Sequence, residues 1–206
     1  MMSKEYYYLI SSLPALTIDE SNNKAKISIA DFDDQCRANI SEEEAELIEQ
    51  ISLTPTVAML EGDGDKFLTN KNNPTSIDTT VVEDFYKWEM HLRNAIARKR
   101  APRNRDLTHI LQYDYDFHAE IERTVQNAYS MTNPLDRENL FDNLRWNFLN
   151  ELENCHQFDF GFLCVYKIKL MIVAKRLSRD IEVAYECLEN VVENLQQKSN
   201  TIAEKS

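Results

Sequence analysis

The sequence predicts an all-α fold, a multi-helix bundle with a short extended arm at its N-terminus. Three observations point that way. Apolar residues recur at steps of three and four over long stretches, as they do along one face of a helix. Only three Gly and five Pro occur in 206 residues, too few for the many tight turns of a sheet protein. Helix starts can also be read directly, at Ser41 and at Asn133-Pro134.

Taken in order, Tyr6 to Ile10 is β-prone and is stopped by Ser11-Ser12-Leu13-Pro14, which predicts the extended arm. Ser41-Glu42-Glu43-Glu44 is a capping box that opens a helix running to Ile51. Thr54-Pro55 then punctuates the chain, with a short helix to Leu60 after it. Residues 62–79 are rich in Gly, Asn and Asp and read as a linker. From Thr80 the positions Val81, Phe85, Trp88, Leu92 and Ile96 form one apolar face that ends at Pro102. A helix from about Asp114 to Ala128 follows, then a long one from Asn133-Pro134 to about His156. Phe160 to Leu177 and Asp180 to Gln197 complete the helices. The expected organisation is therefore an arm with short helices over 1–61, the linker, a helical domain over 80–198 and a disordered tail over 199–206, packed as one unit.

A net charge of −12 argues against nucleic-acid binding, which needs a basic face to neutralise phosphates. The most apolar stretch is broken by Lys167, Lys169 and Lys175, so no membrane-spanning helix is expected, and the N-terminus lacks the pattern of a signal peptide. A cytoplasmic setting is expected. There the four Cys, at 36, 155, 164 and 187 and without CxxC spacing, stay reduced as packing residues.

Two features stand out from this background. Arg93, Arg98, Lys99, Arg100, Arg103 and Arg105 place six cations within thirteen residues that hold no acid, which leaves −18 on the rest of the chain. Cations at a helix C-terminus are favoured by the helix dipole, and the same cluster can dock an acidic partner. Tyr6-Tyr7-Tyr8 reads either as an arm packed on the body or as an interface anchor, a role in which Tyr is over-represented. In addition, Leu92, Arg93, Ile96, Lys99 and Arg100 align with Ile168, Lys169, Ile172, Lys175 and Arg176 at one offset of 76 residues, the mark of a degraded internal repeat. Repeated helical units build interaction surfaces more often than catalytic pockets.

Catalytic signatures are weak by comparison. His109, Asp114, Asp116, His118 and Glu120 are rich in metal-ligating types, but their spacing matches no ligand pattern, and a solvated helix start with Asp114 near its N-terminus is the better account. Glu153-Asn154-Cys155-His156 has the Glu-x-x-His spacing of carboxylate-bridged di-iron bundles, yet the second copy such a site requires is missing. There is no Gly-rich phosphate loop, nucleophile elbow or zinc signature, so a non-enzyme without cofactors is expected.

The segments YYYLISSLPALTID, DFDDQCRANISEEE, WEMHLRNAIARKRA and VYKIKLMIVAKRLS, in this order, resemble a bacterial family of unassigned function whose members are encoded beside the subunits of V-type rotary ATPases. Those ATPases use an all-helical socket subunit, called C in prokaryotes and d in eukaryotes, between the membrane rotor ring and the central stalk. Its helices are similar in style to those around Arg93 and Lys169. The resemblance implies a shortened socket subunit, an assembly factor or an accessory stalk protein, peripheral to the inner membrane through the complex. The contacts expected with stalk and rotor run through Tyr6 to Tyr8, Arg93 to Arg105, and Lys169, Lys175 and Arg176. The alternatives are a helical enzyme or metal protein using His109, Asp114, His118, Glu153 and His156, and a scaffold unrelated to ATPases.

Overall fold

The computed structural model describes residues 4–18, 26–54, 77–101 and 118–179. Among these residues there are seven helices and no strand: α1 (Lys4–Ser12), α2 (Ile29–Asn39), α3 (Glu42–Gln50), α4 (Thr80–Arg100), α5 (Ala119–Ala128), α6 (Pro134–Glu153) and α7 (Phe160–Leu177). The all-α expectation holds. Most of the linker, the short helix to Leu60, Arg103, Arg105, His109, Asp114, Asp116 and the helix expected over Asp180 to Gln197 lie outside the described residues.

One element corrects the sequence reading. The segment from Tyr6 to Ile10 is helical, not an extended arm. Its β-prone residues prefer a half-buried surface more than a particular backbone, and a helix offers one here. Tyr6, Leu9, Ile10 and Leu13 share a stripe, with Leu9 and Ile10 buried and the other two packed at the edge of the core. The helix stops where Pro14 disfavours a helical residue before it, and the Ser12 hydroxyl bonds the Leu9 carbonyl at 2.7 Å.

A second helix, α2, has a start that the sequence reading passed over. Ser28 accepts from the Asp31 N–H at 3.0 Å while Asp31 accepts from the Ser28 N–H at 3.4 Å, a capping box with Asp in place of the usual Glu. The box expected at Ser41 and Glu44 is present on α3. Asn133 caps α6 through the Leu135 N–H at 3.0 Å, with Pro134 in the first turn. Asp159 caps α7 by accepting from the Phe162 N–H at 2.9 Å.

Helix α7 is central to the packing of the described helices. It is buried nearly all round from Phe160 to Val173 and packs against α2, α3, α4 and α6. Leu163, Ile168, Leu170 and Ile172 are fully enclosed, and each contributes roughly 1.5–3 kcal/mol by leaving water. No helix among the described residues is long and apolar enough to cross a membrane.

Among the described residues the apolar interior divides into two clusters. The first gathers α1, α2, α3 and α7 with Val81, Val82, Phe85 and Tyr86 of α4 and Trp146 and Leu149 of α6. The second joins Ile121, Val125 and Ala128 of α5 to Trp88, Leu92 and Ala95 of α4 and to Phe141 and Leu144 of α6. Helices α4 and α6 therefore run through both clusters, in opposite directions. The 76-residue pairing is not reproduced in packing: Leu92 belongs to the second cluster and Ile168 to the first, and among the described residues their helices pack against different sets of neighbours.

Candidate functional site

The two surfaces singled out by composition stand on different clusters. On the first, α1 turns Tyr7 and Tyr8 outward, 62% and 70% exposed, and these are the exposed large apolar side chains among the described residues. The Tyr7 ring lies 4.9 Å from that of Phe158, centre to centre, which widens the aromatic patch. Tyr6 is turned inward, its hydroxyl donating to Glu44.

On the second cluster, α4 ends in Arg98, Lys99 and Arg100, all exposed in the last turn, where the helix dipole favours them. Arg98 pairs with Glu122 of α5, and Arg100 donates to the Tyr129 hydroxyl. Arg137 stacks over the Tyr129 ring at 4.6 Å and donates to the carbonyls of Ala128 and Met131, which fixes the turn between α5 and α6. The cations thus brace the α4–α5 end while presenting positive charge there.

The cations of α7 do not form the surface contacts expected of them. Lys169 is buried, not displayed: its ammonium bonds Glu153 at 2.6 Å and lies 5.2 Å from the Trp146 ring centre. Lys167, equally buried, pairs with Asp33 and faces Phe32. Arg176 donates to the Ile18 carbonyl at 3.1 Å and the Asn139 carbonyl at 3.4 Å. Lys175 is part exposed and bonds Asp142 at 3.3 Å. Arg93, the counterpart expected for Lys169, is part exposed and pairs instead within its own helix, with Glu89 at 2.9 Å.

An ionic layer that the sequence reading missed lies between the two clusters. Glu89 of α4 and Asp142 of α6 are fully buried. Arg145 forks onto Glu89 with bonds of 2.8 and 2.9 Å and sends its third nitrogen to Asp142 at 3.0 Å. Asp142 also receives Arg179 and Lys175 from the end of α7. Burial works against the Arg145 charge, but Glu89 and then Asp142 more than offset it and hold the guanidinium above its ordinary value. A signal did exist: Glu89 falls on the apolar face of Phe85 and Leu92, and Arg145 on that of Phe141 and Phe148.

The remaining candidates among the described residues do not converge. His118 contacts His91, with ring centres 4.5 Å apart, and Glu120 is exposed. Glu153 turns to Lys169 whereas His156 bonds Asp159 at 2.8 Å, so the Glu-x-x-His pair serves two separate contacts. No group of three or more metal-ligating side chains gathers among the described residues. Burial, with a further push from Asp33, raises the Cys36 thiol to about 12, and burial also raises Cys164, so neither forms a nucleophilic thiolate near neutral pH. No known protein family, curated protein or solved structure matches the chain.

Proposed function

We propose that this chain is a non-catalytic docking protein, and that its partners are stalk and rotor subunits of a V-type rotary ATPase, as a shortened socket subunit or an accessory of it. The observation that carries the docking reading is the pair Tyr7 and Tyr8, large aromatic side chains held out in water on an ordered helix. Exposed aromatic area of that kind marks contact surfaces. The cationic end of α4 adds a charged contact for an acidic partner. The ATPase as partner rests on the resemblance of the four quoted segments.

The test is capture of partners from native cytoplasm and membrane with the full chain. Stalk and rotor-ring subunits are the expected catch, and recovery of a different complex in their place overturns the ATPase assignment. Rim charges set association rate, and buried aromatics set residence time. Changing Arg98, Lys99 and Arg100 together to Ala should therefore slow association at low salt, and changing Tyr7 and Tyr8 to Ser should speed release. Equal effects from both sets on dissociation alone would refute the division of roles.

A further inference from the structure

Neither docking surface uses the ionic layer, and its position calls for an explanation. Glu89 lies on α4 between Tyr86 in the first cluster and Leu92 in the second, while Arg145 and Asp142 alternate with apolar residues of both clusters on α6. Apolar contact that could have run across this seam is replaced by charges whose mutual attraction is largely offset by the cost of taking them out of water. What the layer adds is geometry. The two bonds of Arg145 to Glu89 are met in one alignment of α4 and α6, while Asp142 of the same helix holds the third nitrogen, and a slip by one turn, about 5.4 Å, would strand buried charge. Asp142 extends the same constraint to the end of α7 through Lys175 and Arg179. Elsewhere the seam is bridged by Trp88 stacked on Phe148, with rings 4.7 Å apart and 6° from parallel.

We infer that the layer centred on Asp142 is a coupling device that makes the two apolar clusters open and close as one body. When Asp142 is lost, the second cluster opens by itself. Such coupling is independent of the partner's identity. It bears on docking because Tyr7 and Tyr8 stand on the first cluster and Arg98 to Arg100 on the second, so the layer fixes one surface relative to the other.

Native-state hydrogen exchange on the full chain tests this without any partner. The readout is the ratio of exchange rates between second-cluster amides, Ala95 and Val125, and first-cluster amides, Leu163 and Ile168. In the unaltered protein the two sets should exchange within about tenfold of each other, as parts of one cooperative unit. In Asp142→Leu, and in the shape-conserving Asp142→Asn, the ratio should rise by more than about tenfold, with the second cluster the faster. Glu153→Gln, which removes an ion pair of similar kind away from the seam, should leave the ratio unchanged. Should both Asp142 variants fail to fold, Arg179→Met at the part-exposed rim reads the same ratio. A ratio that stays below tenfold in every folded layer variant overturns the inference. So does an equal rise in Glu153→Gln, or a split already present in the unaltered protein.

Discussion

His156 is fixed from two sides. Its Nδ1 bonds Asp159, the N-cap of α7, and its ring lies against Gly161. A Cβ at position 161 would stand 2.5 Å from Nδ1 and 2.8 Å from Cε1, so Gly161→Ala must push the ring off Asp159. The expected cost is about 1–3 kcal/mol in urea unfolding, and it should largely vanish when His156 is also Ala. An undiminished cost in the double variant would mean that the backbone, not the imidazole, meets the added methyl. Asp78 offers a pH test. The Thr80 hydroxyl at 2.5 Å and then its N–H at 3.0 Å hold the Asp78 carboxyl below its ordinary value. A carboxyl depressed in the folded state adds stability above its unfolded pKa, about 3.9, and loses it as pH falls through the folded value. Thr80→Val should therefore lower stability at pH 7 and have a smaller effect near pH 2–3, measured by thermal unfolding at both.

At the scale of the element, helix starts and buried lysines make separable contributions. Ser28→Ala and Ser41→Ala each remove a capping acceptor and should cost about 1 kcal/mol, read as a shift of the denaturant midpoint. Helix α7 uses its cations to set the position of its neighbours, Lys167 holding α2 and Lys169 holding the end of α6. With Lys167 only 3% exposed, Asp33→Ala leaves a buried ammonium without its carboxylate and should cost roughly 3–5 kcal/mol. Lys167→Met removes the charge and keeps the volume, so it should cost much less. Equal losses for the two would indicate that Asp33 acts by some route other than neutralising Lys167.

At the scale of the molecule, the net charge of −12 sets a background of self-repulsion that salt screens. The surface pairs Arg37–Glu49 and Arg98–Glu122 are screened by solvent, weaken with salt and add little stability. Raising NaCl from about 20 mM to about 0.5 M should therefore raise Tm by a few degrees. A fall in Tm would show that attractive surface pairs outweigh the repulsion.

The helical class and most of the helices were legible in the chain's local pattern, because the spacing of Val81, Phe85, Trp88, Leu92 and Ile96, the Ser41–Glu44 box and Asn133-Pro134 are local signals that fix backbone conformation wherever the chain packs. The rest depended on long-range packing. Whether Tyr6 to Ile10 is strand or helix depended on the surface waiting to cover Leu9 and Ile10. Whether a cation faces water or the core depended on which helix stands opposite: Lys169 met Glu153 and went inside, whereas Arg93, aligned with it in sequence, stayed at the edge. The layer of Glu89, Arg145 and Asp142 joins residues 56 positions apart, and charge on an apolar stripe becomes a structural bond only when the partner helix brings its complement to the same depth.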